Sequence, residues 1–237
     1  EFEVSTQVVS DGPHLLRDSA TAEATARYLA GGGLSVTEGN WVVSTQPSSY
    51  SPPGRSDFTF GEWRPWWNLG SWWDERPAWQ DASSFQHTGN TDADGTHQLA
   101  MDFTQMWPPR PTSVRVTATV ADVNRQQQSS STSLLLHPSE RYVGLRAEKS
   151  FAEDEGDFEL SVVVTDIDGR ILPGVPLDLE LLKLEYDDSL RGGYQQKEVR
   201  MERKTITSSE TPSKVSLAPG DGGTYRVRAI VRDRKGR

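Results

Sequence analysis

Apolar and polar residues alternate with a period of two wherever the chain shows a pattern. Phe2 and Val4, then Ala22, Ala24, Ala26 and Tyr28, then Val114, Val116, Ala118 and Val120 all follow it. Successive side chains of a strand point to opposite faces, so this spacing predicts half-buried β-strands. The second half repeats the pattern: Phe158, Leu160, Val162 and Val164 run into Asp166-Ile167-Asp168-Gly169, and Val175, Leu177, Leu179 and Leu181 run out of it. That is a strand, a turn made by Asp and Gly, and a second strand. Lys204–Thr207, Lys214–Leu217 and Gly223–Asp233 predict further strands between clusters of Ser, Pro and Gly. The Ala-rich stretch Ser19–Leu29 fits helix by composition and strand by its alternation. With many short strands and no convincing amphipathic helix, the expected fold is all-β: tandem antiparallel β-sandwiches of the seven-stranded, fibronectin-III-like kind.

A boundary is expected near residue 140. The polar stretch Gln126–Thr132 reads as a turn, Leu134–Leu136 as a short strand, and His137-Pro138-Ser139-Glu140 as a break before a strand at Tyr142–Ala147. The predicted domains are residues 1–140 and 141–237. The first carries an anomaly at about 48–81: Trp63, Trp66, Trp67, Trp72, Trp73 and Trp79 fall there, leaving only Trp41 and Trp107 of the eight Trp elsewhere. Pro52, Pro53, Pro65 and Pro77 rule out a regular central strand, so the segment is expected to be a long loop laid across a sheet. Glu62, Arg64, Asp74, Glu75 and Arg76 interleave as its polar outer face. Phe58, Phe60 and those six Trp are the candidate packing or interaction residues. Buried, they enlarge a small core; exposed, they make an aromatic platform for sugars or proteins.

Charge and composition narrow the function. The net charge of −9 argues against a nucleic-acid partner, since phosphate binding needs a basic stripe. Arg226, Arg228, Arg232, Arg234, Lys235 and Arg237 are the nearest thing to one, and most alternate with Val227, Ala229 and Val231 as a solvent-facing strand does. Cys is absent, which excludes disulfides, thiol nucleophiles and Cys zinc sites within the chain. No stretch approaches the roughly 20 apolar residues of a membrane span. A start inside a strand without Met, and an end at Arg237, predict a piece of a longer protein.

No catalytic constellation is found. His14, His87, His97 and His137 are isolated in sequence and read as surface or strand-end residues. Asn90, Asp92 and Asp94 before Gly95 resemble the opening of a calcium loop, but Met101 stands where the distal carboxylate belongs, and a hairpin turn is the preferred reading. Glu148, Glu153, Asp154, Glu155 and Asp157 read as solvated charge in a connection. No cofactor and no metal are expected.

The motifs of the second half, Tyr142-Val-Gly-Leu-Arg146, Val164-Thr-Asp-Ile-Asp-Gly-Arg170, Pro173-Gly-Val-Pro176 and Gly222-Gly-Thr-Tyr-Arg-Val-Arg-Ala229, resemble a macroglobulin domain of the bacterial alpha-2-macroglobulin family. Phe2-Glu-Val4, Ala26–Gly33 followed by Trp41, Ser51-Pro-Pro53, Asp57-Phe-Thr-Phe60 and Thr91-Asp-Ala-Asp-Gly95 are similar to the preceding domain. The resemblance implies two consecutive macroglobulin-like scaffold domains from the N-terminal half of a large envelope protein that traps proteases. It further implies a periplasmic or lipoprotein-anchored location set by a signal outside this chain. The implied partners are neighbouring domains and, through the full-length protein, target proteases. A Cys-Gln thioester, common in the family, is impossible here without Cys. The alternative reading is an adhesin-like or carbohydrate-binding module that uses the Trp-rich loop.

Overall fold

A computed structural model describes residues 1–62, 83–104, 109–148, 157–187 and 195–237. Among them the chain forms strands and no helix. In order these are β1 (Phe2–Val8), β2 (His14–Leu15), β3 (Ser19–Tyr28), β4 (Glu38–Pro47), β5 (Thr59–Phe60), β6 (Ser83–Asn90), β7 (Thr96–Asp102) and β8 (Thr112–Ala121). There follow β9 (Gln127–His137), β10 (Arg141–Ala147), β11 (Phe158–Asp166), β12 (Pro176–Asp187), β13 (Gln195–Thr207), β14 (Ser213–Leu217) and β15 (Thr224–Val231). They group into two compact units that interleave along the sequence: Glu1–Ser48 with Pro77–Pro138, and Ser49–Arg76 with Ser139–Arg237.

The first unit has a three-stranded sheet, β1-β3-β7, and a five-stranded sheet, β2-β9-β8-β4-β6. All pairings are antiparallel except β2 with β9. Ser19–Tyr28 is a strand because its alternation puts Ala20, Ala22, Ala24 and Ala26 on one buried face. Ala20, Ala22 and Ala24 share a core with Trp41, Leu99, Met101, Val114, Val116 and Leu136, so a narrow row of Ala leaves volume for one indole. The polar stretch before Leu134 is strand too, not turn, since β9 begins at Gln127. Its serines occupy the solvent face, where the Ser131 and Ser129 hydroxyls pair across the strands with Thr117 at 2.9 Å and Thr119 at 2.8 Å.

The second unit is a sandwich of β14-β11-β10-β5 against β13-β12-β15. Leu160, Val162 and Val164 of β11 interlock with Leu177, Leu179 and Leu181 of β12 and with Leu217. On the outer face of β12, Asp178 and Glu180 alternate with those leucines and meet Arg203, Arg200 and Arg228 from the two flanking strands.

Among the described residues one turn occurs four times. In Asp92–Thr96, Asp122–Gln126, Asp166–Arg170 and Asp233–Arg237 the first residue's N–H donates to the fifth residue's carbonyl, and its side-chain Oδ1 accepts the fifth residue's N–H. The fourth position is left-handed in each, filled by Gly95, Gly169 and Gly236 but by Arg125, φ 61°, in the second. In the last copy the carboxylate also accepts from Arg237 Nε at 2.6 Å, and neither side chain is exposed. Arg237 reaches Glu140 as well, which ties the end of the described chain to the residue before β10.

Candidate functional site

The segment expected to lie on the first unit is instead built, as far as it is described, into the second. β5 is only two residues long, yet it completes a sheet by pairing Phe60 with Gly144 and Thr59 with Leu145 of β10. Two residues cannot hold a strand in place, so the residues before it act as a strap. Tyr50 donates its hydroxyl to the Ile167 carbonyl at 2.8 Å, Arg55 Nε donates to the Gly169 carbonyl at 3.0 Å, and Pro52 is fully buried. The carbonyl of Pro53 comes so close to the Asp166 turn that a Cβ on Gly169 would sit 2.1 Å from it.

The aromatic groups of the strap cluster around Tyr142. Tyr50 stacks at a tilt on Tyr142 with ring centroids 5.2 Å apart, and Phe60 meets Tyr142 edge-on at 6.5 Å. Phe58 is 6% exposed, with the Arg146 guanidinium 4.8 Å above its ring and Asp57 paired to that same guanidinium. A Cβ at Gly144 would lie 2.7 Å from Phe60 Cζ and 2.9 Å from Phe58 Cβ, so the ring seats only because residue 144 has no side chain. Burial, and then the neighbouring Tyr50, push the Tyr142 phenol well above its ordinary range; burial, and then Asp168 and Asp166, raise Tyr50. Neither phenol is poised to give up a proton near neutrality, and the cluster is a packing arrangement rather than a proton-transfer site.

Phe58 and Phe60 are therefore brought together, against β10 of the second unit rather than across a sheet of the first. The physical reason is the complementary pair of a bulky aromatic and a glycine, 84 positions apart in sequence. Trp63, Trp66, Trp67, Trp72, Trp73 and Trp79 lie outside the described residues, as do Trp107, Glu153, Asp154 and Glu155.

Asp92, expected as a turn residue or a calcium ligand, accepts the backbone N–H groups of Asp94 at 3.0 Å and Thr96 at 2.8 Å through Oδ1. Among the described residues no three His, Cys, Asp or Glu side chains converge as a metal site. The basic run at the end is engaged in ion pairs: Arg226 and Arg228 with Glu198, Arg228 with Glu180, and Arg232 with Asp178.

Two histidine pairs are not legible in the sequence: His14 and His137 are far apart in the chain, and His87 and His97 lie on strands of different sheets. His97 on β7 accepts a hydrogen bond at Nδ1 from the Trp41 indole at 3.0 Å, and the His87 ring lies 6.2 Å away on β6. His137, at the end of β9, is buried rather than surface-facing, and His14 is its charge-coupled neighbour. Burial first, and the second histidine next, lower both His97 and His137; Asp92 opposes this at His97.

Comparison with known proteins places this architecture. No family model matches the chain. The alpha-2-macroglobulin homolog of Nostoc sp. is 31% identical over 229 residues, which is 92% of this chain and 11% of that protein. The Circularly permutated Ras protein 2 of Dictyostelium discoideum is 23% identical over 255 residues, covering 98% of this chain and 6% of that protein. Among solved structures, Escherichia coli alpha-2-macroglobulin activated by porcine elastase superposes with a TM-score of 0.67 at 14% identity, over 99% of this chain and 21% of that one. The chain thus spans about a tenth of the Nostoc relative. On the sequence match along nearly its whole length, with the matching fold, the chain belongs to the alpha-2-macroglobulin family.

Proposed function

We propose that the chain is a non-catalytic scaffold segment of a bacterial alpha-2-macroglobulin-like protein whose full-length form traps proteases. The observation that carries the reading is the match to the Nostoc homolog over 92% of the chain. The chemistry agrees with it. The strongly placed polar groups in the described residues are consumed in holding the fold: Asp92, Asp122, Asp166 and Asp233 close turns, His97 binds a core indole, and the arginines of β13 and β15 face carboxylates. An envelope location and contacts with neighbouring domains of the parent belong to the same proposal. No helix among the described residues is long and apolar enough to cross a membrane.

The test compares the isolated chain with the full-length parent. The parent is expected to shield a bound protease from a large protein substrate while leaving cleavage of a small peptide substrate intact. The isolated chain is expected to do neither and to show no peptidase activity of its own. Turnover of any ester, peptide or glycoside by the isolated chain, abolished by one substitution, would overturn the scaffold reading. Specific binding of a glycan by the chain alone would favour the adhesin-like alternative instead.

A further inference from the structure

We propose that Trp41, His97 and His87 form an acid-sensitive latch between the two sheets of the first unit. Trp41 lies on β4 and His87 on β6, both in the five-stranded sheet; His97 lies on β7, in the three-stranded sheet. The Trp41–His97 hydrogen bond therefore crosses the sandwich at the β6 edge. Trp41 is 1% exposed and belongs to the main core, so its N–H has been taken out of water and is satisfied here by imidazole.

Only a neutral imidazole can accept that bond. With Nδ1 as acceptor the ring proton sits on Nε2, which lies over Gly89 so closely that a Cβ there would fall 2.1 Å from it. Protonation turns Nδ1 into a donor, and two N–H groups then face each other inside the sandwich. Among the described residues, the titratable groups that face His97 are His87 from β6 and Asp92 from the turn between β6 and β7. A charge on His87 repels a charge on His97. Asp92 would attract one, but its Oδ1 already accepts two backbone N–H groups. Trp41 on β4 and Ala24, the strand partner on β3, offer no charge. Acid therefore has one way to charge His97, which is to part it from Trp41 and loosen β7 from the β4–β6 edge.

The direction follows from linkage. A histidine lowered below its ordinary 6.5 by folding contributes stability that is complete above 6.5 and is lost as the pH falls toward its folded value. All four histidines belong to the first unit, so the second has no such dependence.

Hydrogen exchange and histidine NMR on the full chain test the latch. Between pH 7 and pH 5 the protection of the Trp41 indole N–H, corrected for intrinsic exchange, should fall by up to about 25-fold, the limit set by a free imidazole. Amides of β10 and β11 should not change. His97→Asn keeps an acceptor near the Nδ1 position and cannot titrate, so protection should stay at pH 7 and fall clearly less than in wild type at pH 5. His97→Phe should be poorly protected at both pH values. His137 keeps its own response in all variants, so the readout is the difference between wild type and His97→Asn at the Trp41 indole. A flat wild-type profile, or the same fall in His97→Asn as in wild type, overturns the latch. Independently of whether the variants fold, a His97 titration midpoint at or above 6.5 in the wild type also overturns it.

Discussion

Gly144→Ala makes a sharp test of the strap, because two effects give opposite signs. A glycine inside a strand normally costs about 0.5–1 kcal/mol relative to alanine, through the backbone freedom it gives up on folding. Were Gly144 an ordinary strand residue, alanine would stabilise the second unit by that amount. The new Cβ, however, would stand 2.7 Å from Phe60 Cζ and 2.9 Å from Phe58 Cβ. Forcing a methyl into a filled site of this kind costs about 1–3 kcal/mol. Lifting the whole strap away would avoid the clash, but at greater expense: re-exposing Phe58 costs about 2 kcal/mol, and releasing the bonds from Tyr50 and Arg55 costs about 1 kcal/mol each. The strap should therefore stay down, Phe60 should turn aside, and the net effect should be a loss of about 1–2 kcal/mol.

The closest clash is with the Phe60 ring, and a second substitution checks its share. Phe60→Leu alone should cost about 1 kcal/mol through lost aromatic contact with Tyr142. In the Gly144→Ala background it should instead recover part of the lost stability, since the shorter side chain vacates the ring's space while the contact with Phe58 Cβ remains. The coupling between the two is expected to be about 1 kcal/mol or more. The assay is hydrogen exchange of β10 and β11 amides across a urea series in the full chain, which reads the second unit separately from the first. A Gly144→Ala chain more stable than wild type, or a double variant with simply additive losses, would refute the seating of Phe60 on Gly144.

Three further outcomes follow from local chemistry. Thr165 is fully buried in β11 and its hydroxyl has no hydrogen-bond partner among the described residues, so Thr165→Val should raise the urea midpoint of the second unit by an amount worth about 1 kcal/mol; a lower midpoint would count against it. Arg125 holds a left-handed position that three sister turns give to glycine, so Arg125→Gly should stabilise the first unit by about 0.5–1 kcal/mol, read as a rise in Tm. Asp233→Asn leaves the buried Arg237 guanidinium without its nearer anion and with Glu140 as its remaining carboxylate partner, at a cost of about 3 kcal/mol in urea unfolding. Burial works against the Asp233 carboxylate, but the backbone and side-chain hydrogen bonds from Arg237 outweigh it and hold the group below its ordinary 3.8. Its stabilising effect is thus complete above 3.8 and lost as the pH falls below, a step in acid unfolding that the Asn variant should lack.

What the sequence discloses about this fold divides along the range of the interactions involved. Alternation is a local signal, and it suffices to make Ser19–Tyr28 a strand even though Ala composition argues for helix, because one buried face is compatible with period two alone. The Asp-x-x-Gly turns are local as well, so Asp92 and Asp166 stand out by inspection. Asp122 does not, since Arg125 occupies the position where glycine is the cue. The serines of β9 mislead for a related reason: taken one at a time they are turn formers, and it is their antiparallel pairing with β8, with hydroxyl contacts to Thr117 and Thr119, that makes them strand.

The strap and the histidine latch belong to another class. Phe60 with Gly144, and Trp41 with His97, are contacts between residues far apart in the chain, and nothing in either neighbourhood states the register that joins them. Aromatic richness near residue 60 correctly signals that something must be packed, but not against which sheet. A boundary placed by a polar break cannot show that a unit also borrows a strand from earlier in the chain. That borrowing has an energetic consequence for the second unit. Residues 139–237 alone would leave the β10 edge open and Tyr142 uncovered, so the sandwich closes only when the strap from Tyr50 to Phe60 is laid on it.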